Sequence, residues 1–179
     1  MLPIYNKKFM SSVLPSQLDP WRVVDNRAVV AGRLPLSSLP RLRGLLLDAT
    51  SDVRFRLGFS RDEARRAVLH CEVATTLKLR CQRCLEALDY KVNADTWLAL
   101  VSSIDEERLL PERYDPLLVD EGSIHPRDLI EDELLLALPQ IPMHEPVMCA
   151  RQIPGVDVAR MRSGKASPFA VLAVLKRGR

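Results

Sequence analysis

The sharpest chemical feature of the sequence is Cys81-Gln82-Arg83-Cys84, two thiols separated by two residues. Two thiolates at that spacing can grip one metal ion from a tight turn, and zinc asks for four nitrogen or sulfur ligands in a tetrahedron. One such pair supplies half a site. Downstream, His144 and Cys149 are the soft or borderline donors that lie close together in sequence. They follow an acidic helical segment, where the chain can fold back on the cysteine turn. The expected site is Cys81, Cys84, His144 and Cys149, with zinc as the ion. The second half lacks the spacing of a true CxxC, so two reduced thiols on a β-turn beside a surface histidine stay open as the alternative.

Redox chemistry fits less well. A thioredoxin-like CxxC sits at a helix N-terminus, whose dipole lowers the thiol pKa. Here LEALDYKVNADTWLAL follows, which reads as strand. Cys71 lies in an apolar strand pattern and reads as a buried small residue. His70 reads as a packed or surface histidine, and His125, just before Pro126, as a helix cap. Neither has a serine or cysteine beside it with a signature for nucleophilic catalysis. Glu131, Asp132 and Glu133 read as a solvated helix start. P-loop, dinucleotide and HExxH patterns are absent from the sequence. The expectation is a protein that is not an enzyme.

Basic residues gather around the cysteines. Lys78, Arg80 and Arg83 adjoin them, and Arg54 and Arg56 alternate on a strand so that both point to one face. With Lys176 and Arg177 near the C-terminus, these residues are the candidates for contact with RNA phosphates or a partner. Aromatics make up 5% of the chain, which leaves little for base stacking.

These residues need elements to position them. Residues 27–34 read as a strand, and SLPRLRGLLLDA as a short helix at about 38–48, with Leu39, Leu42 and Leu46 on one face. Val53, Phe55 and Leu57 alternate with polar residues. RDEA at 61–64 is a polar turn, and 67–79 and 85–101 again favour β structure. Short connections between them make an antiparallel meander the economical solution. Residues 11–25 read as irregular, and Leu117–Val119 as a short strand. Pro126 suits the first position of a helix whose apolar face holds Ile130, Leu134, Ala137 and Leu138, ended by Pro139 and Pro142. The fold class is α+β, an antiparallel β meander packed with one or two short helices and an extended C-terminal arm. The expected division is a flexible N-terminal tail at 1–12, a single domain at 13–145 and a basic arm with a short terminal helix at 146–179. Met10 opens the stretch MSSVLPSQLDPWRV, so residues 1–9 read as an upstream start or a loose tail.

Net charge is +3, but it is segregated. Residues 1–100 carry 16 basic and 10 acidic side chains, residues 101–145 carry 3 and 12, and residues 146–179 carry 7 and 1. Such separation means contact with an anionic partner, internal pairing of acidic and basic segments, or simply solvated faces. Lys7 and Lys8 interrupt the N-terminal stretch, and the apolar run Phe169 to Leu175 is too short to cross a bilayer. A cytoplasmic location is expected, where structural disulfides are rare.

Four motifs then occur in order: LRCQRCLEAL, LPERYDPLLVDEGSI, LIEDELLLALPQIPMHEPVMC and SPFAVLAVLKR. Together they resemble the YceD family of bacterial and plastid proteins, the large ribosomal RNA subunit accumulation proteins. The early LPSQLDPWR also suits it, so the resemblance runs from about Val13 to the C-terminus. The family's cysteine pair falls on Cys81 and Cys84, and its acidic helix and following region on Glu131, Glu133, Pro139, Pro142 and His144. Some branches carry a richer cysteine pattern in the C-terminal region than this chain does. The resemblance implies a non-catalytic factor in synthesis, processing or stability of large-subunit (23S) ribosomal RNA, with that RNA or its precursor particle as partner. The alternative is a protein-interaction adaptor with a structural zinc site and no direct RNA contact.

Overall fold

The structure, a computed structural model, describes residues 8–9, 14–119, 122–145 and 149. Lys176, Arg177 and the expected terminal helix lie outside the described residues.

Four long strands carry the expected meander: β2 (Val29–Pro35), β3 (Asp52–Arg61), β4 (Ala67–Arg80) and β5 (Ala87–Val101). Each pairs antiparallel with the next. At the edges, the two-residue β1 (Lys8–Phe9) joins β2 and β6 (Asp115–Leu118) joins β5, both in parallel. The sheet therefore runs in sequence order but is mixed rather than purely antiparallel. The chain reaches β6 in parallel register because a short helix, α3 (Ile104–Glu107), and a loop carry it back along β5 first.

Period-two alternation sorts the side chains. Val53, Phe55, Leu57 and Phe59 of β3 and Leu69, Cys71, Val73 and Leu77 of β4 point to one face and are buried. That face is covered by α1 (Pro20–Asp25) through Val24, by α2 (Pro40–Arg43) through Leu42, and by α4 (Pro126–Leu136) through Leu129, Ile130 and Leu134. Each fully buried side chain of this size contributes roughly 1.5–3 kcal/mol. Gly32 lets the Phe55 ring pack closely, since a Cβ there would stand 3.2 Å from it and the ring would have to shift by a few tenths of an ångström. The opposite face of the sheet has a small apolar cluster at one end, where Val68 and Ala99 meet Tyr114. Along its middle, Arg54, Arg56, Asn93 and Trp97 stay exposed.

Two expected elements change. The segment read as irregular contains α1, whose N-cap Asp19 accepts hydrogen bonds from the amides of Trp21 and Arg22, both at 3.1 Å, with Pro20 in the first turn. The helix expected at 38–48 shrinks to a 3-10 turn at Leu36–Ser38 and the four residues of α2. The N-cap position of α2 is Leu39, which has no side-chain cap, and the Ser38 hydroxyl donates to the Pro35 carbonyl at 2.7 Å. Beyond Gly44 the chain is drawn onto the sheet instead. The Leu47 amide donates to the Lys78 carbonyl at 2.8 Å, leaving Leu45 and Leu47 exposed while Leu39 and Leu42 are fully buried.

Candidate metal centre

The cysteine turn is the tip of the β4–β5 hairpin. Pairing of Arg80 with Ala87 closes the ladder, so residues 81–86 must reverse the chain. The Cys81 amide donates to the Glu86 carbonyl and the Leu85 amide to the Cys81 carbonyl, each at 2.9 Å. Leu85 takes a left-handed backbone, φ 66°, to complete the turn. This curl aims both thiols inward. On the other side, the chain leaves α4 through Pro139 and Pro142, and the Pro142 carbonyl accepts from the Gln82 amide at 2.8 Å. That bond brings His144, and beyond it Cys149, to the hairpin tip.

The four ligand atoms converge within 4.8 Å of one another. The Cys149 sulfur lies 3.6 Å from that of Cys81 and 3.8 Å from that of Cys84. His144 Nδ1 lies 3.3 Å from the Cys84 sulfur and 3.7 Å from that of Cys149. A tetrahedral ion with metal–sulfur bonds near 2.3 Å requires sulfurs about 3.8 Å apart. A disulfide requires about 2 Å. The spacing fits ligands around a shared ion and excludes a disulfide. The imidazole is oriented for the same task, because its Nε2 donates to the Ala87 carbonyl at 3.0 Å. That bond places the hydrogen on Nε2 and leaves the Nδ1 lone pair facing the sulfurs.

Electrostatics agree with this geometry. Burial alone pushes the Cys81 thiol upward, but amides of Cys84, His144 and Arg83 point at its sulfur and bring its pKa down to about 5. Those of Arg83 and His144 lie at 3.4 Å. Cys149 moves the other way, to about 11, through burial and the neighbouring Cys81 and Cys84 sulfurs. A cluster holding one ready thiolate beside the Cys149 thiol, which resists ionising, is what a divalent cation relieves. The arrangement is a Cys3His cluster able to hold a metal. Cys71, far from it in the core, has its pKa raised to about 12, first by burial and then by the carboxylates of Glu133, Glu72 and Asp95.

The basic candidates separate into two groups. Arg54, Arg56, Lys78 and Arg80 all fall on the open sheet face, whereas Arg83 lies on the cysteine turn, its guanidinium 3.7 Å from the Met143 sulfur. Arg56 pairs with Glu72 at 2.8 Å, and Lys78 lies 4.0 Å from Asp48. The sequence reading missed Arg33, which stands directly across from Arg54 in the β2–β3 register. Among the described residues neither of these two arginines forms an ion pair, although like charges directly opposite repel. Alternation along 29–35 is the signal that would have found Arg33.

The acidic helix start is not solvated as expected. Glu131 is 1% exposed and Glu133 6%. One Glu131 oxygen accepts the Leu42 amide at 2.9 Å and the other accepts Arg41 Nε at 3.0 Å. Glu133 accepts the Thr96 hydroxyl at 2.7 Å, and its pKa is raised mainly by burial. Glu131 is thus turned toward α2 and Glu133 toward β5, while the half-exposed Asp132 takes Arg41 at 2.6 Å. His125 does not cap α4 with its side chain. Its ring contacts the Ser16 carbonyl at 3.1 Å.

Residues 69–176 match the YceD family, described as large ribosomal RNA subunit accumulation protein YceD. The protein of that name from Haemophilus influenzae is 33% identical over 168 residues, which cover 91% of this chain and 96% of the relative. No solved structure matches the chain significantly. No helix among the described residues is long and apolar enough to cross a membrane.

Proposed function

The chain belongs to the YceD family, and from that premise we propose that it is a non-catalytic cytoplasmic factor in the synthesis, processing or stability of large-subunit (23S) ribosomal RNA. It acts by binding that RNA or its precursor particle. The observation that carries this reading is the open sheet face, where Arg33, Arg54, Arg56, Lys78 and Arg80 project on the side the helices leave uncovered. Unpaired guanidiniums set across from one another repel until an anion joins them, and RNA phosphate supplies one every nucleotide. Zinc held by Cys81, Cys84, Cys149 and His144 staples the chain after α4 to the hairpin tip, and its contribution is structural.

A low-salt gradient of cell extract tests this. Migration with large-subunit precursors, abolished by ribonuclease, is the expected result, and migration at the top in both conditions would overturn direct RNA binding. With purified protein, Arg54→Ala and Arg80→Ala should each weaken RNA affinity without regard to sequence and reduce the salt slope by about 1.

One feature favours the adaptor reading. Leu129, Leu135, Leu136, Pro116 and Leu117 line a groove of about 700 Å³ between α4 and the β5–β6 edge. Leu136 is 81% exposed there. A protein partner retained after nuclease treatment and lost with Leu136→Asp would favour this reading.

A further inference from the structure

We propose that the open sheet face carries a base-stacking platform, Trp97 on His70, which makes unpaired single-stranded RNA the ligand rather than duplex. This rests on the RNA-binding reading above and specifies the ligand.

Trp97 and His70 are directly opposite each other in the β4–β5 register. Their rings stack with centroids 4.2 Å apart and planes 10° from parallel. The stack is held, because His70 Nε2 lies 2.6 Å from a carboxylate oxygen of Asp95, two residues along β5 from Trp97. A pinned imidazole fixes the indole before any ligand arrives, so little side-chain freedom remains to be lost on binding. The indole nevertheless stays 43% exposed. The apolar cluster of Val68, Ala99 and Tyr114 begins two residues farther along both strands. On the other side of His70 the facing residue is Gly58, which has no side chain of its own, and the Arg56 guanidinium reaches within 3.9 Å of where a Cβ there would stand.

Cations continue from the stack along the same face. Arg56 is two residues along β3 from Gly58, and Arg54 two further, about 14 Å from the stack in all. Arg33 stands beside Arg54, and Lys91 lies farther along β5. Two carboxylates on this face are already engaged, Glu72 by Arg56 and Asp95 by His70. An aromatic step leading into a row of cations is what a single strand requires, since its bases are free to stack while its phosphates track the charge. A duplex buries its base faces and can use the cations alone.

The test uses full-length protein carrying Trp21→Phe, which leaves Trp97 as the sole tryptophan of the two in the chain. A short single-stranded oligoadenylate and a blunt duplex with the same number of phosphates serve as probes. The single strand should quench Trp97 emission and the duplex should not. In the wild-type background, Trp97→Ala should weaken single-strand affinity by about 5- to 150-fold with the salt slope unchanged. Trp97→Phe, which keeps a ring in the stack, should retain most of the affinity and guards against a folding defect. Unchanged affinity in Trp97→Ala, with salt-sensitive binding intact, would overturn the platform and leave the phosphate-tracking reading standing. Failure of the wild-type protein to bind either probe would overturn both.

Discussion

A single sulfur shows how position rather than residue type sets chemistry here. Cys81, Cys149 and Cys71 are all buried thiols, yet the first is pulled to about 5 while the others rise to about 11 and about 12. Burial raises all three, and only Cys81 has enough amide hydrogens aimed at it to reverse the direction. In metal-free protein this has a sign. Unfolded Cys81 titrates near its ordinary 9.0 and folded Cys81 at about 5, so between those values the unfolded chain binds more protons. Its contribution to stability is therefore fully present above pH 9 and is lost as pH falls toward 5. Cys149 and Cys71 act in the opposite sense, but only above pH 9. The unfolding midpoint of metal-free protein should rise from about pH 5.5 to about pH 8 by more than that of Cys81→Ser. Equal pH profiles for the two proteins would remove the thiolate from the account.

At the scale of elements, the junction of α2 with α4 turns on one carboxylate. Glu131 satisfies the buried Leu42 amide and engages Arg41. A helix as short as α2 has almost no stability of its own, so this clamp holds Leu39 and Leu42 in the core. Glu131→Ala leaves the amide without an acceptor and should cost about 1–3 kcal/mol, read from a urea midpoint. Arg41 is half exposed and can return to water, so its loss adds little. Glu131→Gln keeps an acceptor oxygen and should cost distinctly less. The sequence motif around Glu131 was visible, but not its burial. An acidic residue in a first or second helical turn reads as dipole complementarity until a partner amide arrives from a segment about 90 residues away.

For the whole molecule, the hydrophobic core and the Cys3His cluster are separate parts of the structure. The core lies between one sheet face and the helices, whereas the cluster joins the hairpin tip to the segment after α4. Chelation should therefore act locally. Hydrogen exchange should accelerate at 81–86 and 143–145 while amides of Leu57, Leu69 and Cys71 remain protected. Global loss of protection would mean that the core depends on the ion. Part of the acidic middle is consumed internally, through Glu131 and Asp132 on Arg41.

The sequence by itself determined the four long strands, the proline-bounded helix α4 and the four candidate ligands, because alternation, punctuation and donor chemistry are local properties. It placed Arg54 and Arg56 on one face for the same reason, since a strand has only two, whereas strand register put Lys78 and Arg80 beside them. What it left undecided depended on contacts distant in the chain. The parallel edges of the sheet, the burial of Glu131 and Glu133, the truncation of α2 and the convergence of His144 and Cys149 on the hairpin tip follow from tertiary packing. So does the Trp97–His70 stack. Both residues were legible as strand positions, but only strand register, fixed by burial of the other face, sets them ring against ring.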